Sequence, residues 1–161
     1  MENKNNSAAQ LVFESFKSNL KRATKLLSEL SDENLIQEIA PNKNTGHYLI
    51  GHLIAVHDNM LPLLGLGDSL YPDLVEVFIK NPDKSALEKP SIAQLRQQWK
   101  EVHALLLAKL ESLTFEQLLE KHTAVSEADF VKEPHRNRLN VLLSRANHLS
   151  YHFGQLALLK K

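Results

Sequence analysis

The 161-residue chain carries 19 basic and 19 acidic side chains, a formal net charge of zero that argues against nucleic acid or an anionic membrane surface as a partner. It has no cysteine, which excludes disulfides, thiolate metal sites and a cysteine nucleophile. At 43% hydrophobic it can bury its own core, and its length suits one domain over residues 1–161. No stretch approaches the ~20 apolar residues of a membrane span, and the polar start leads into no secretory core, so the expected location is cytoplasmic.

Residues 1–6 read as a frayed end. From Ser7, a candidate cap, the apolar positions Leu11, Val12, Phe16, Leu20, Ala23, Leu26, Leu27 and Leu30 recur at intervals of three and four, the stripe of an amphipathic helix. Ser31–Asn34 breaks that helix and opens a short turn, and Pro41–Asn44 is a loop. A second helix starts near Asn44 or Thr45 and runs through Leu49, Leu53 and Val56 to Pro62 or Gly65. Residues 65–90, punctuated by Gly65, Gly67, Pro72, Pro82 and Pro90, form a long crossover-type connection with a short helix at about 72–79. Ser91-Ile92-Ala93-Gln94 is a capping box for a strong helix ending near Leu113, and Thr114–Gln117 is another, opening a short helix to about Glu120. Residues 121–136 are polar and broken by Pro134. The last helix starts at Asn137 or Arg138 and runs to the C-terminus, where Lys160 and Lys161 complement its dipole. No segment alternates like a strand. Long helices with one apolar face each predict an all-α fold, a four-helix bundle.

Two histidines, His148 and His152, stand four apart in the last helix and so share one face. They flank its apolar stripe, Leu142, Leu143, Ala146, Leu149, Phe153 and Leu156, where an unpartnered imidazole is unfavourable. A metal ion is one partner; a hydrogen bond to a buried carbonyl or side chain is the plainer one. His52, beside the apolar stripe of the second helix, is the best third ligand. His47 and His57, five residues to either side, are rotated about 140° from it. His57 then reads as a surface or mouth residue, and His103, His122 and His135 as exposed or capping.

Three neutral imidazoles with an open position suit zinc, nickel or another late first-row ion. The residue after His148 is Leu149, not the glutamate base of a His-Glu-x-x-His peptidase, so that mechanism is excluded. Asp58, Asp68 and Asp73 are the carboxylates within loop reach. Arg145, one turn before His148, suits an anionic group of a substrate, although a plain surface arginine is the commoner case. Tyr151 and Gln155 are placed to hydrogen-bond a ligand.

Asn44-Thr45-Gly46-His47-Tyr48-Leu49-Ile50-Gly51-His52-Leu53 resembles the second-helix motif of the DinB-like superfamily of damage-inducible metalloproteins. His148-Leu149-Ser150-Tyr151-His152-Phe153-Gly154-Gln155 is similar to its last-helix motif, His-x-x-x-His-x-Gly-Gln. Tyr48, a pocket-wall and substrate-contact position, stands where the family often has tryptophan. The resemblance implies an up-down four-helix bundle with a long crossover between helices two and three, and a metal triad of His52, His148 and His152. It also implies a homodimer. The activity it implies is a metal-dependent enzyme on a small-molecule substrate, a thiol S-transferase using a low-molecular-weight thiol or a hydrolase. The alternative is a non-catalytic metal-binding stress-response protein.

Overall fold

The computed structural model describes residues 2–160, with side chains from Ser7 onward. It is all-α. Among the described residues there is no strand, only isolated bridges at Glu38–Thr45 and Lys121–Asn137. In chain order the helices are α1 (Glu2–Glu29), α2 (Asp32–Leu35), α3 (Gly46–Asp58), α4 (Met60–Leu63), a π-helical turn (Glu76–Lys80), α5 (Ile92–Glu111), α6 (Phe115–Leu119), α7 (Glu127–Lys132) and α8 (Arg138–Ala157).

The starts are set by side-chain caps. Ser31, Ser91 and Thr114 each form a complete capping box, and Asn137 accepts the Asn140 amide. At α3 the Thr45 hydroxyl accepts the Tyr48 amide (3.2 Å) while donating to Asp83 (2.8 Å), so the same residue ties the helix start to the connection that follows.

One continuous core joins α1 (Phe16, Leu20, Leu27), α3 (Leu49, Leu53, Ile54), α5 (Leu95, Val102, Leu106) and α8 (Leu142, Leu149, Leu156). α1 packs on α8, α3 on α5, and α3 on α8. Gly46 lies against Leu159 while His52 meets His148 and His152, so α3 and α8 run antiparallel. The connection between α3 and α5 is held down by Asp58, which is buried and accepts the amides of Leu70 (2.8 Å) and Tyr71 (2.7 Å). That use removes it from any role as a base at the site. Asp68 and Asp73 stay exposed.

The structure departs from the sequence reading in several places. α1 begins at Glu2, upstream of Ser7; Met1 lies outside the described residues, as does Lys161. The helix expected over 72–79 is a π turn displaced to Glu76–Lys80. The polar stretch 121–136 contains α7, capped by Ser126. Leu11 and Leu143, counted in apolar stripes, are exposed because the helical rotation turns each well outside its helix's buried arc. Lys160 reaches across to Glu29 of α1 (2.6 Å).

Candidate metal centre

His52 of α3 and His148 and His152 of α8 bring their ligating nitrogens within 4.8 Å of one another. His148 Nε2 is 3.2 Å from His52 Nε2 and 3.0 Å from His152 Nε2. The far side of two rings is tied to an acceptor. His52 Nδ1–H donates to the Phe78 carbonyl at 2.8 Å. Phe78 lies in the π turn, too near its end for its carbonyl to have a helical partner, so that oxygen is free for the imidazole. His152 Nδ1–H donates to Gln155 Oε1 at 2.7 Å, within one turn of α8.

These bonds fix the tautomers. With Nδ1 protonated, His52 and His152 present bare Nε2 lone pairs toward His148. Lone pairs this close repel unless a cation lies among them or His148 carries its proton on Nε2 and donates to one of the other two. Three ligands bound tetrahedrally at ~2.0–2.1 Å stand about 3.3 Å apart. The two spacings to His148 are close to that, all three nitrogens lie within 4.8 Å, and the residues fit a shared divalent ion. Burial pushes the His148 pKa down to about 4, helped by His152, His52 and Arg145, and burial lowers that of His152. Both are therefore neutral near pH 7, the ligating form.

The other predicted residues divide. Tyr48 stacks on His52 (ring centroids 6.4 Å apart, 12° between planes), but its hydroxyl donates to the Asn81 carbonyl (2.7 Å) and burial raises its pKa. It forms a wall of the site with its polar end engaged. Tyr151 is exposed and sets its ring against His152 at 5.1 Å. Gln155 is occupied with His152. Arg145 is partly buried and has neither an ion pair nor a hydrogen bond, and desolvation lowers its pKa. No carboxylate belongs to the cluster.

His57 and His103 are not surface or capping residues, as their positions in the sequence suggested; both are buried. The rotation that separates His57 from His52 aims it inward, against Phe16 of α1 and His103 of α5. His103 Nδ1–H donates to the Trp99 carbonyl (2.7 Å), and His57 Nδ1–H donates to His103 Nε2 (2.7 Å). His47 bonds the Pro90 carbonyl (2.7 Å) away from the centre. His135 is exposed and His122 partly buried. Phe78 was not singled out in the sequence; the only hint of its role is Gly51, whose missing side chain makes room for the Phe78 ring.

The family model of the DinB superfamily matches residues 15–156. The chain belongs to the DinB superfamily. The crystal structure of a conserved protein from Enterococcus faecalis is similar over 94% of this chain and 94% of its own, at a TM-score of 0.65 and 19% identity. A likeness at that identity speaks to the fold. No curated protein matches the chain. Superfamily membership and the three-histidine group together fit a metal-binding protein. No helix among the described residues is long and apolar enough to cross a membrane.

Proposed function

We propose that this DinB-superfamily chain is a metal-dependent enzyme acting on a small molecule, with His52, His148 and His152 holding zinc or nickel and leaving a position open. We further propose the family's up-down four-helix bundle over a single domain, with α1, α3, α5 and α8 as its helices and residues 64–91 as the crossover, and a cytoplasmic homodimer as the working form. The observation that carries the reading is the convergence of three imidazole nitrogens, two of them with tautomers fixed from behind by Phe78 and Gln155.

When bound, such an ion supplies Lewis acidity, lowering the pKa of a thiol or water at the open position. Thiol S-transfer is favoured over hydrolysis by what the chain places around the site. The cluster is wholly imidazole, Asp58 is committed to backbone amides, and Arg145 adds an uncompensated positive charge. That environment stabilises a thiolate and an anionic substrate, and offers no carboxylate base for activating water. Arg145 would bind the substrate's anionic group, and the Tyr48 and Tyr151 rings would wall its apolar part.

The test is alkylation of a low-molecular-weight thiol by an electrophile, with protein stripped of metal or loaded with zinc or nickel. The loaded protein is expected to accelerate alkylation, and His148→Ala to abolish the acceleration. Full activity in His148→Ala would sink the mechanism. Stoichiometric metal with no thiol or hydrolytic turnover would leave a structural or regulatory ion as the better account.

A further inference from the structure

Three buried nitrogens, His57 Nε2, Arg145 Nε and His148 Nδ1, have no hydrogen-bond partner among the described residues. Such groups are rare in folded proteins, and each needs an explanation. The protonation of all three follows from their neighbours. His57 spends its Nδ1–H on His103, so its Nε2 is a bare lone pair and can only accept. With an ion held at its Nε2, His148 carries its proton on Nδ1, which can only donate. Arg145 Nε–H is always a donor.

The register of α3 against α8 brings the three within about one helical turn of one level. The helices run antiparallel, with Gly46 opposite Leu159 and His52 opposite His148 and His152. Advancing from His52 to His57, about 7.5 Å of rise, therefore moves back along α8 toward Arg145, about 4.5 Å before His148. The electrostatics agree. After burial and His103, the charges of His148 and Arg145 lower the pKa of His57, and Arg145 also acts on His148.

We propose that these three nitrogens bind a single buried water beneath the metal centre, which accepts from Arg145 Nε–H and His148 Nδ1–H and donates to His57 Nε2. The donor–acceptor pattern selects the ligand. An anion has no proton to give His57, and a cation meets two N–H groups head-on. Water satisfies all three, and about three hydrogen bonds is what buried waters usually make. Resting on the metal-binding reading above, this makes His57 a positioning residue. Through the water it holds His148, as Phe78 holds His52 and Gln155 holds His152, and His103 fixes its tautomer from behind.

The experiment has two arms. A high-resolution crystal structure of the wild type treated with zinc is expected to show a water within hydrogen-bond distance of all three nitrogens. A dry site, or a partner other than water there, overturns the proposal without touching the metal reading. In the second arm, zinc affinity is measured by chelator competition on wild type, His57→Leu and His57→Gln. Leu is expected to weaken zinc about 10- to 100-fold, the usual scale for losing an orienting partner. Gln, which restores an acceptor, is expected to recover most of the loss, a rescue that a packing role alone would not give. Wild-type affinity in a folded His57→Leu variant overturns the proposal. If that variant fails to fold, the crystal arm decides. A wild type that binds neither zinc nor nickel but holds the water refutes the metal reading and leaves the water site standing.

Discussion

The His52–His148–His152 group and the His57–His103 pair share helix α3 and lie one and a half turns apart, yet their nitrogens are arranged in opposite ways. In the pair, an acceptor stands at the head of a line: the Trp99 carbonyl takes a proton from His103, which takes one from His57. Each close contact in that line has a donor and an acceptor, so it closes without an ion. In the triad, the acceptors stand outside the ring. Phe78 and Gln155 each draw an Nδ1 proton outward, and the lone pairs are left facing inward. What makes one cluster a candidate ligand set and the other a hydrogen-bonded chain is where the acceptors sit, since both are built from the same residue type.

Removing a nitrogen from each cluster tests that contrast most sharply. His148→Ala should weaken zinc by two orders of magnitude or more, because two imidazoles cannot hold the ion as three do. His103→Phe, which keeps the volume of a ring, should act mainly on stability and weaken zinc by no more than about tenfold, because it reaches His148 only through His57 and the water. Elemental analysis and chelator competition read the first effect, and a denaturant melt reads the second. Comparable metal loss in both variants would erase the distinction drawn above.

The buried pair also contributes to the pH dependence of the metal-free protein, alongside His148, which burial likewise holds at about 4. Burial depresses His57 well below the ordinary histidine value and His103 to about 4. A depressed histidine stays neutral in the folded chain while the unfolded chain takes up a proton, so stability is full above pH 6.5 and falls as pH drops toward 4. For His103 alone the loss amounts to about 3 kcal/mol across that window. Denaturation curves at pH 7 and pH 4.5 measure it. In His103→Phe that slope should shrink, and an unchanged slope would mean the buried pair does not carry it.

The triad was legible in the sequence and the pair was not, for a physical reason. His148 and His152 declare themselves because ligands one turn apart on a helix must share a face, and His52 follows from the apolar stripe beside it. The fold class was legible on the same grounds of periodicity and caps. His57 was misplaced because rotation away from His52 was read as rotation toward solvent, while α3 is buried nearly all round and has no solvent side at that level. His103 looked exposed for want of a partner, and its partner lies on another helix. Phe78 and Gln155 were beyond reach in different degrees. Gln155 was seen as polar and near the site, but its pairing with His152 needs a rotamer, and the Phe78 carbonyl is backbone, which sequence pattern does not describe.

Gly51 extends the test to the wall behind His52. A methyl group there would meet the Phe78 ring at 2.3 Å, and that ring is fully buried. Gly51→Ala should therefore cost about 1–3 kcal/mol by overpacking. It should also weaken zinc about tenfold, because the residue that moves carries the carbonyl orienting His52. Adding Phe78→Leu to Gly51→Ala relieves the crowding and should recover affinity along with stability. If stability returns while affinity does not, the carbonyl's position depends on the ring itself.

Gly154, the glycine of the last-helix motif, gives the smallest effect and the opposite sign. It lies in the last turn of α8, exposed, and a methyl group added there meets nothing within 4 Å. Nothing within the chain calls for glycine, and glycine inside a helix costs roughly 0.5–1 kcal/mol relative to alanine. Gly154→Ala should then stabilise the protein by about that amount, measured by denaturant unfolding of a dilute, monomeric sample. The proposed homodimer sharpens the prediction. If α8 packs closely on a second copy at this face, the same substitution will stabilise the dilute protein yet weaken self-association, seen by sedimentation across a concentration series. Destabilisation at every concentration would instead mean that the backbone of α8 needs glycine where it carries His152, and the two walls of the centre would then be alike in their reliance on a missing side chain.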